Sequence, residues 1–193
     1  MKKDQRSVTN RFITIAILRR AAARMIPLYT RIAHNRKYAE AWTSALRKGD
    51  ISQRLLDKIG MSLNDKDIFS FGSTYNSYSV DFEAPYPIVA LSNGISMSSN
   101  APKTSFKTSH HQVIAGAILP LYHEISSNQA FARRVVKANK TGNNKLLSRL
   151  IRSKVNLEAF RAVQITKTSF QIVFQFGASP VVYYNEFYRG VDF

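Results

Sequence analysis

The spacing of apolar residues switches three times between the helical and the extended period along this chain, which excludes both an all-helical and an all-strand fold. Val8, Ile15, Leu18, Ala22, Met25, Tyr29 and Ile32 recur mostly at three- and four-residue intervals, lining one helix face. Pro27 interrupts that stripe. A proline inside a helix removes a backbone hydrogen bond and crowds the preceding turn, so a kink, or a break with a new helix, is expected there. A further helix is expected over 38–47, and Asp50 is placed as the N-cap of a helix over 51–59 closed by Gly60.

After Gly60, Ser, Asn, Tyr and Phe replace the helix formers, and strands are expected over 68–71, 75–82 and 86–92, divided by Gly72-Ser73 and by Pro85. The stretch from Ser92 to Ser109 is polar enough to be a linker or an ordered binding loop. Helical spacing returns over 110–125, with a bend at Pro120, and over 128–140 behind a Ser127 or Asn128 cap. A Thr141-Gly142-Asn143 turn then leads into a helix over 144–155, capped by Asn143. Strands follow over 160–165, 170–176 and 181–184, with turns at Lys167-Thr168-Ser169 and at Gly177-Ala178-Ser179-Pro180. In the middle one Phe170, Ile172, Phe174 and Phe176 alternate with Gln171, Val173 and Gln175, so one side is apolar. The expected fold is α+β: basic N-terminal helices, a small antiparallel β region, a three-helix segment and a C-terminal antiparallel β-meander. It divides into a basic helical region, 1–60, and an α+β region, 61–193, or forms one compact domain with 1–60 packed on the rest. No internal repeat or low-complexity tract stands out.

Composition enters through charge. The 193 residues carry 28 Lys+Arg against 12 Asp+Glu, a net +16. The excess is segregated: residues 1–58 sum to +10, 59–100 to −3 and 101–193 to +9. Self-repulsion on that scale weakens a compact state unless a polyanion neutralises it, and nucleic acid is the commonest such partner, ahead of an anionic membrane. With no cysteine there is no disulfide, thiolate zinc site, iron–sulfur cluster or cysteine nucleophile. The longest nearly apolar run, Val113 to Tyr122, is too short to span a bilayer and contains Gly116 and Pro120. Lys2, Lys3, Arg6 and Arg11 precede a short apolar stretch without a small-residue cleavage site; the paucity of acids up to residue 37 fits an organelle transit peptide better than a secretory signal. An intracellular or virion-associated location is expected.

The strongest functional pattern is a pair of basic stripes. Arg133, Lys137 and Lys140 share one helix side, and Lys145, Arg149 and Arg152 share one side of the next helix. With Arg134, Lys154 and Arg161, residues 126–161 hold nine basic residues and one acid, Glu158, whereas ordinary exposed helices interleave both signs. The order helix, glycine turn, helix, β-hairpin is that of a winged helix-turn-helix module, with 144–155 in the recognition position. Gln129, Asn139, Thr141, Asn143 and Asn144 could touch phosphates or base edges, or serve as caps. Arg20, Arg24 and Arg31 fall off the N-terminal apolar stripe as a cationic edge. Tyr78 and Tyr184 are the tyrosines singled out as stacking platforms for unpaired bases.

The leading expectation is a non-enzymatic nucleic-acid-binding protein without a cofactor, DNA or RNA being held through the phosphate backbone by Arg133, Arg134, Lys137, Lys140, Lys145, Arg149, Arg152 and Lys154, with help from Arg19, Arg20 and Arg24. One alternative is a structural component of a virion or ribonucleoprotein assembly, contacting other protein subunits through its aromatic strands and through Glu186 to Phe193. Another is a metal-dependent phosphodiesterase or nuclease around Asp65, Asp67, Asp81 and Glu83, with His110, His111, His123 and Glu124 as further candidates. Attachment to anionic lipid through residues 8–32 is a fourth.

Overall fold

A computed structural model describes residues 13–61, 67–85, 88–166 and 169–191. The fold is α+β: among the described residues there are six α-helices and a six-stranded antiparallel sheet. Helices α1 (Ile15–His34), α2 (Arg36–Lys48) and α3 (Gln53–Asp57) precede strands β1 (Ile68–Thr74), β2 (Ser77–Glu83) and β3 (Ile88–Met97). Then α4 (Thr108–Ser127), α5 (Gln129–Lys140) and α6 (Asn144–Arg152) precede β4 (Phe160–Ile165), β5 (Ser169–Gln175) and β6 (Val182–Val191). The strand order is β1-β2-β3-β6-β5-β4, so the expected small β region and C-terminal meander are the two halves of one sheet, joined where β3 pairs with β6.

Each half of the sheet alternates. Tyr78, Val80 and Phe82 on β2, Leu91, Asn93 and Ile95 on β3, Phe170, Ile172 and Phe174 on β5, and Tyr183, Asn185 and Phe187 on β6 are buried on one face. Helices α1, α2, α4 and α6 contact that face, for instance Trp42 edge-on to Tyr78 and Tyr122 stacked on Phe187. The opposite face presents Ser77, Ser79, Asp81, Ser92, Ser96, Tyr184, Glu186 and Gln171, all half-exposed. This is the one-sided burial typical of antiparallel sheets.

Several boundaries differ from expectation, each for a local reason. Helix α1 runs through Pro27 without a break. Pro27 and Ala23, whose carbonyl loses its donor, are both exposed, so water can reach that carbonyl. Pro120 is likewise exposed inside a continuous α4. Asp50 is not a cap: Ile51 is buried and α3 starts only after Ser52. Gly72-Ser73 lies inside β1, and the turn falls at Tyr75-Asn76, where the Thr74 and Ser77 hydroxyls bond at 2.7 Å. Ser92 to Met97, expected to be loop, is strand, because Ser92 and Ser96 face the polar side and Asn93 is hydrogen-bonded in the core. Strand β6 extends to Val191, so Phe187 belongs to the core and not to a contact tail. Val8, Tyr86, Lys167, Thr168 and Phe193 lie outside the described residues.

The element order also overturns the expectation that the chain has no repeat. Three helices followed by a three-stranded meander occur twice, and details recur at a spacing of 93 residues in the helices and 92 in the strands, as from Pro27 to Pro120 and from Asn93 to Asn185. Both long helices have 20 residues and carry Pro-Leu-Tyr at the same position, Pro27 to Tyr29 and Pro120 to Tyr122. Asn35 and Asn128 cap α2 and α5, accepting from Tyr38 N at 2.8 Å and Phe131 N at 3.1 Å. The turns after α2 and α5 each contain a left-handed glycine, Gly49 and Gly142. The Thr74–Ser77 hydroxyl pair has its counterpart in Thr166–Ser169, at 2.8 Å, and the irregularity after Ile68 in that after Phe160. In the β3–β6 ladder Gly94 pairs with Glu186, its own counterpart, and Leu91 with Arg189 mirrors Met97 with Tyr183. The two halves are thus related by a pseudo-twofold axis through the Gly94–Glu186 pair.

Candidate functional site

Helices α5 and α6 fold into a hairpin because each has a narrow apolar face and a strong N-cap. Phe131, Ala132, Val135 and Ala138 are buried on α5, and Leu147, Leu150 and Ile151 on α6. Asn143 accepts from Leu146 N at 2.9 Å, and Gly142 supplies the left-handed residue that reverses the chain. At about 100° per residue, Arg133, Lys137 and Lys140 then fall opposite the buried face of α5, as do Lys145, Arg149 and Arg152 on α6. All six are exposed. From Gln129 to Arg152 there are seven basic residues and no acid.

The expected site residues therefore divide by their surroundings. Arg133, Arg134, Lys137, Lys145 and Arg149 make no hydrogen bond or ion pair among the described residues. Arg152 donates to Arg161 O at 2.9 Å and covers the Phe160 ring at 4.2 Å, which leaves part of its guanidinium exposed. Lys154 pairs with Glu124 at 3.1 Å. That Lys154 hydrogen bond, with a second from Asn128, holds the Glu124 carboxyl below its usual range. Arg134, Arg149 and Lys154 line one groove between α5 and α6, floored by Phe131 and Leu150.

The three N-terminal arginines are placed differently. Arg19 donates twice to Ser126 O, at 3.0 and 2.8 Å, binding α1 to the end of α4. Arg24 donates to Asp67 at 3.0 and 2.5 Å, and Arg20 reaches Asp67 at 3.5 Å and the Glu83 carbonyl. The Arg20 and Arg24 contacts tie α1 to the β1–β2 edge. Arg24's hydrogen bond, ahead of its charge and that of Arg20, holds Asp67 below its ordinary pKa. Arg31 lies over the Tyr38 ring at 5.9 Å.

The expected stacking and catalytic candidates are mostly structural. Tyr78 is in the core, its hydroxyl 2.7 Å from His111 Nε2, and burial pushes the His111 imidazole down to about 3. His110 stacks on Phe176 at 3.9 Å, and His123 is exposed. Asp81 is bonded by Ser70 and Asp67 by arginines, while Asp65 lies outside the described residues. Among the described residues no group of three His, Asp or Glu side chains could hold a metal ion, and no helix is long and apolar enough to cross a membrane. The hairpin after α6 is not a projecting wing: β5 lies between β4 and β6, with Phe170, Ile172 and Phe174 in the core.

Comparison of the chain with known protein families, with characterised proteins and with solved structures gives no match.

Proposed function

We propose that the protein binds nucleic acid, without catalysis, by neutralising backbone phosphates along the exposed side of the α5–α6 hairpin. The observation that carries this reading is that two consecutive helices hold seven basic residues and no acid, five of them without a polar partner among the described residues. Side chains so arranged repel one another, and a polyanion converts that repulsion into binding energy through counterion release. The sheet face, with Asp81, Glu83 and Glu186, has the opposite sign and would be turned away from the same ligand.

The test is the triple variant K137E/R149E/R152E, whose affinity for duplex DNA, single-stranded DNA and structured RNA is compared with wild type at one salt concentration. A fall of an order of magnitude or more for the preferred nucleic acid is expected. Unchanged affinity removes the hairpin from the interface. A second reading, as a subunit of a virion or ribonucleoprotein assembly, draws support from the half-exposed acidic sheet face and from Tyr188, 45% exposed upon it. Sedimentation that stays monomeric at high concentration, with and without nucleic acid, would exclude it.

A further inference from the structure

The pseudo-twofold gives the α5–α6 groove a counterpart in the first half of the chain. That groove lies between the end of α1, the start of α2 and the segment after α3. It is lined by Pro27, Thr30, Arg31, His34, Asn35, Lys58 and Ile59. Its equivalence is structural: Asn35 and Asn128 are the matching N-caps, one at each groove. The two linings share the matched positions Arg31/Glu124 and Asn35/Asn128, so the grooves overlap at the junction of the long helix with the next one.

Both grooves are cationic, but by different residues. Arg31, His34 and Lys58 line the first, and no carboxylate does. Arg134, Arg149 and Lys154 line the second, where the one carboxylate, Glu124, is occupied by Lys154. Position by position the cations do not correspond: Arg31 matches Glu124, and Arg134 matches Ala41. Basic side chains line overlapping grooves in both halves from unrelated sequence positions. Inheritance of one ancestral residue set does not account for that; a shared ligand chemistry does. The carbonyls at the end of α1 favour Arg31 and His34 there, but not Lys58, which comes from another element.

We propose that the chain is a duplicated unit with two pseudo-symmetric phosphate-binding grooves, and that Arg31 and Lys58 in the first groove bind a second stretch of the nucleic acid held by Arg134 and Arg149 in the second. The proposal rests on the reading of the α5–α6 side as a nucleic-acid interface. A single chain then engages duplex as a symmetric dimer does, through two contacts related by a twofold that matches the local symmetry of the duplex.

The experiment measures the slope of log affinity against log salt for a duplex of about 30 base pairs, roughly three helical turns. Four full-length proteins are compared: wild type, R31Q/K58Q, R134Q/R149Q and K103Q/K107Q. The last removes two exposed cations outside both grooves, and thermal melting confirms that each variant is folded. Each phosphate contact contributes about 0.9 to the slope, so both groove variants are expected to lower it by about 2, while K103Q/K107Q leaves it at the wild-type value. If R134Q/R149Q lowers the slope but R31Q/K58Q matches K103Q/K107Q, the second contact is refuted and the hairpin interface stands. If wild type does not bind the duplex, the paired contact is refuted, while the hairpin reading stands or falls on its affinity for single-stranded DNA and structured RNA.

Discussion

Tyr29 and Tyr122 meet edge-on at the centre of the molecule, their ring centroids 5.0 Å apart at an interplanar angle of 78°. They are counterparts in the two halves, and each hydroxyl reaches the asparagine of its own half, Tyr29 to Asn93 at 3.0 Å and Tyr122 to Asn185 at 3.0 Å. The halves are also crossed: Tyr122 lies 2.9 Å from Asn93 Oδ1, and Asn185 donates to the Tyr29 hydroxyl at 3.1 Å. The asparagine amides finish the pattern, Asn93 donating to Glu186 O and Asn185 to Gly94 O. Four buried polar side chains are thus satisfied only when both halves dock in register, which makes the cluster a specificity device for the α1–α4 and β3–β6 junction.

Removing the Tyr122 hydroxyl leaves the buried Asn185 Oδ1 without its donor, while Asn93 Oδ1 still accepts from Tyr29. Tyr122→Phe is therefore expected to cost about 1–3 kcal/mol, read as a lowered urea midpoint at unchanged m-value. Burial is the main cause raising the Tyr29 and Tyr122 phenols above their ordinary range. Their stabilising contribution is present below pH about 10, where the unfolded chain begins to ionise, and is lost as pH rises beyond it. A flatter alkaline limb is expected in the Tyr29→Phe/Tyr122→Phe double variant.

Gly94 sits at the pseudo-twofold, where a Cβ would run into the Tyr78 carbonyl and the Ser79 backbone of β2. Gly94→Ala must push β2 and β3 apart in the middle of the sheet. A loss of about 3 kcal/mol or more is expected by chemical denaturation. The comparison is Gly72→Ala, since a Cβ at Gly72 meets only the Ser79 hydroxyl, at 3.5 Å. Equal melting of the two variants would contradict the close approach.

His111 is neutral in the folded state, its pKa pushed down to about 3 by burial, against about 6.5 in an unfolded chain. A depressed folded value means that its contribution is complete above pH about 6.5 and is lost as pH falls towards 3. The slope approaches about 1.4 kcal/mol per pH unit for that one proton. His111→Gln, which keeps a partner for the Tyr78 hydroxyl, is expected to be less stable at pH 7 but flatter between pH 6 and pH 4, roughly the span between the two pKa values. Parallel curves for the two proteins would show that another group controls the acid limb.

The helices were legible because their signals are local. Asn128, Asn143 and Gly142 mark α5, the turn and α6 almost to the residue, and the basic stripes follow from helical spacing alone. The single sheet was not legible, since nothing in Ile88–Met97 or Val182–Val191 announces that these strands pair across the intervening chain. Asn93-Gly94 reads locally as a turn, and only the buried hydroxyls of Tyr29 and Tyr122 make an asparagine welcome in a central strand. The duplication was visible in principle through the two Pro-Leu-Tyr triplets and the Asn35 and Asn128 caps. It was masked because the strands keep alternation and few identities, as in Ser77–Glu83 against Ser169–Gln175, where only Ser77/Ser169 and Phe82/Phe174 are the same. The roles of Arg19, Arg20 and Arg24 depended on tertiary partners, Ser126 and Asp67, that no spacing rule brings near.

We propose that the exposed side of α5–α6 neutralises phosphates. The most direct test is the salt dependence of nucleic-acid affinity for wild type and for K137E/R149E/R152E. A linear fall of log affinity with log salt is expected for wild type, with a slope smaller by about 3 in the variant, because each substituted side chain no longer neutralises a phosphate. A wild-type affinity that does not change with salt, or a variant with the wild-type slope, would contradict it.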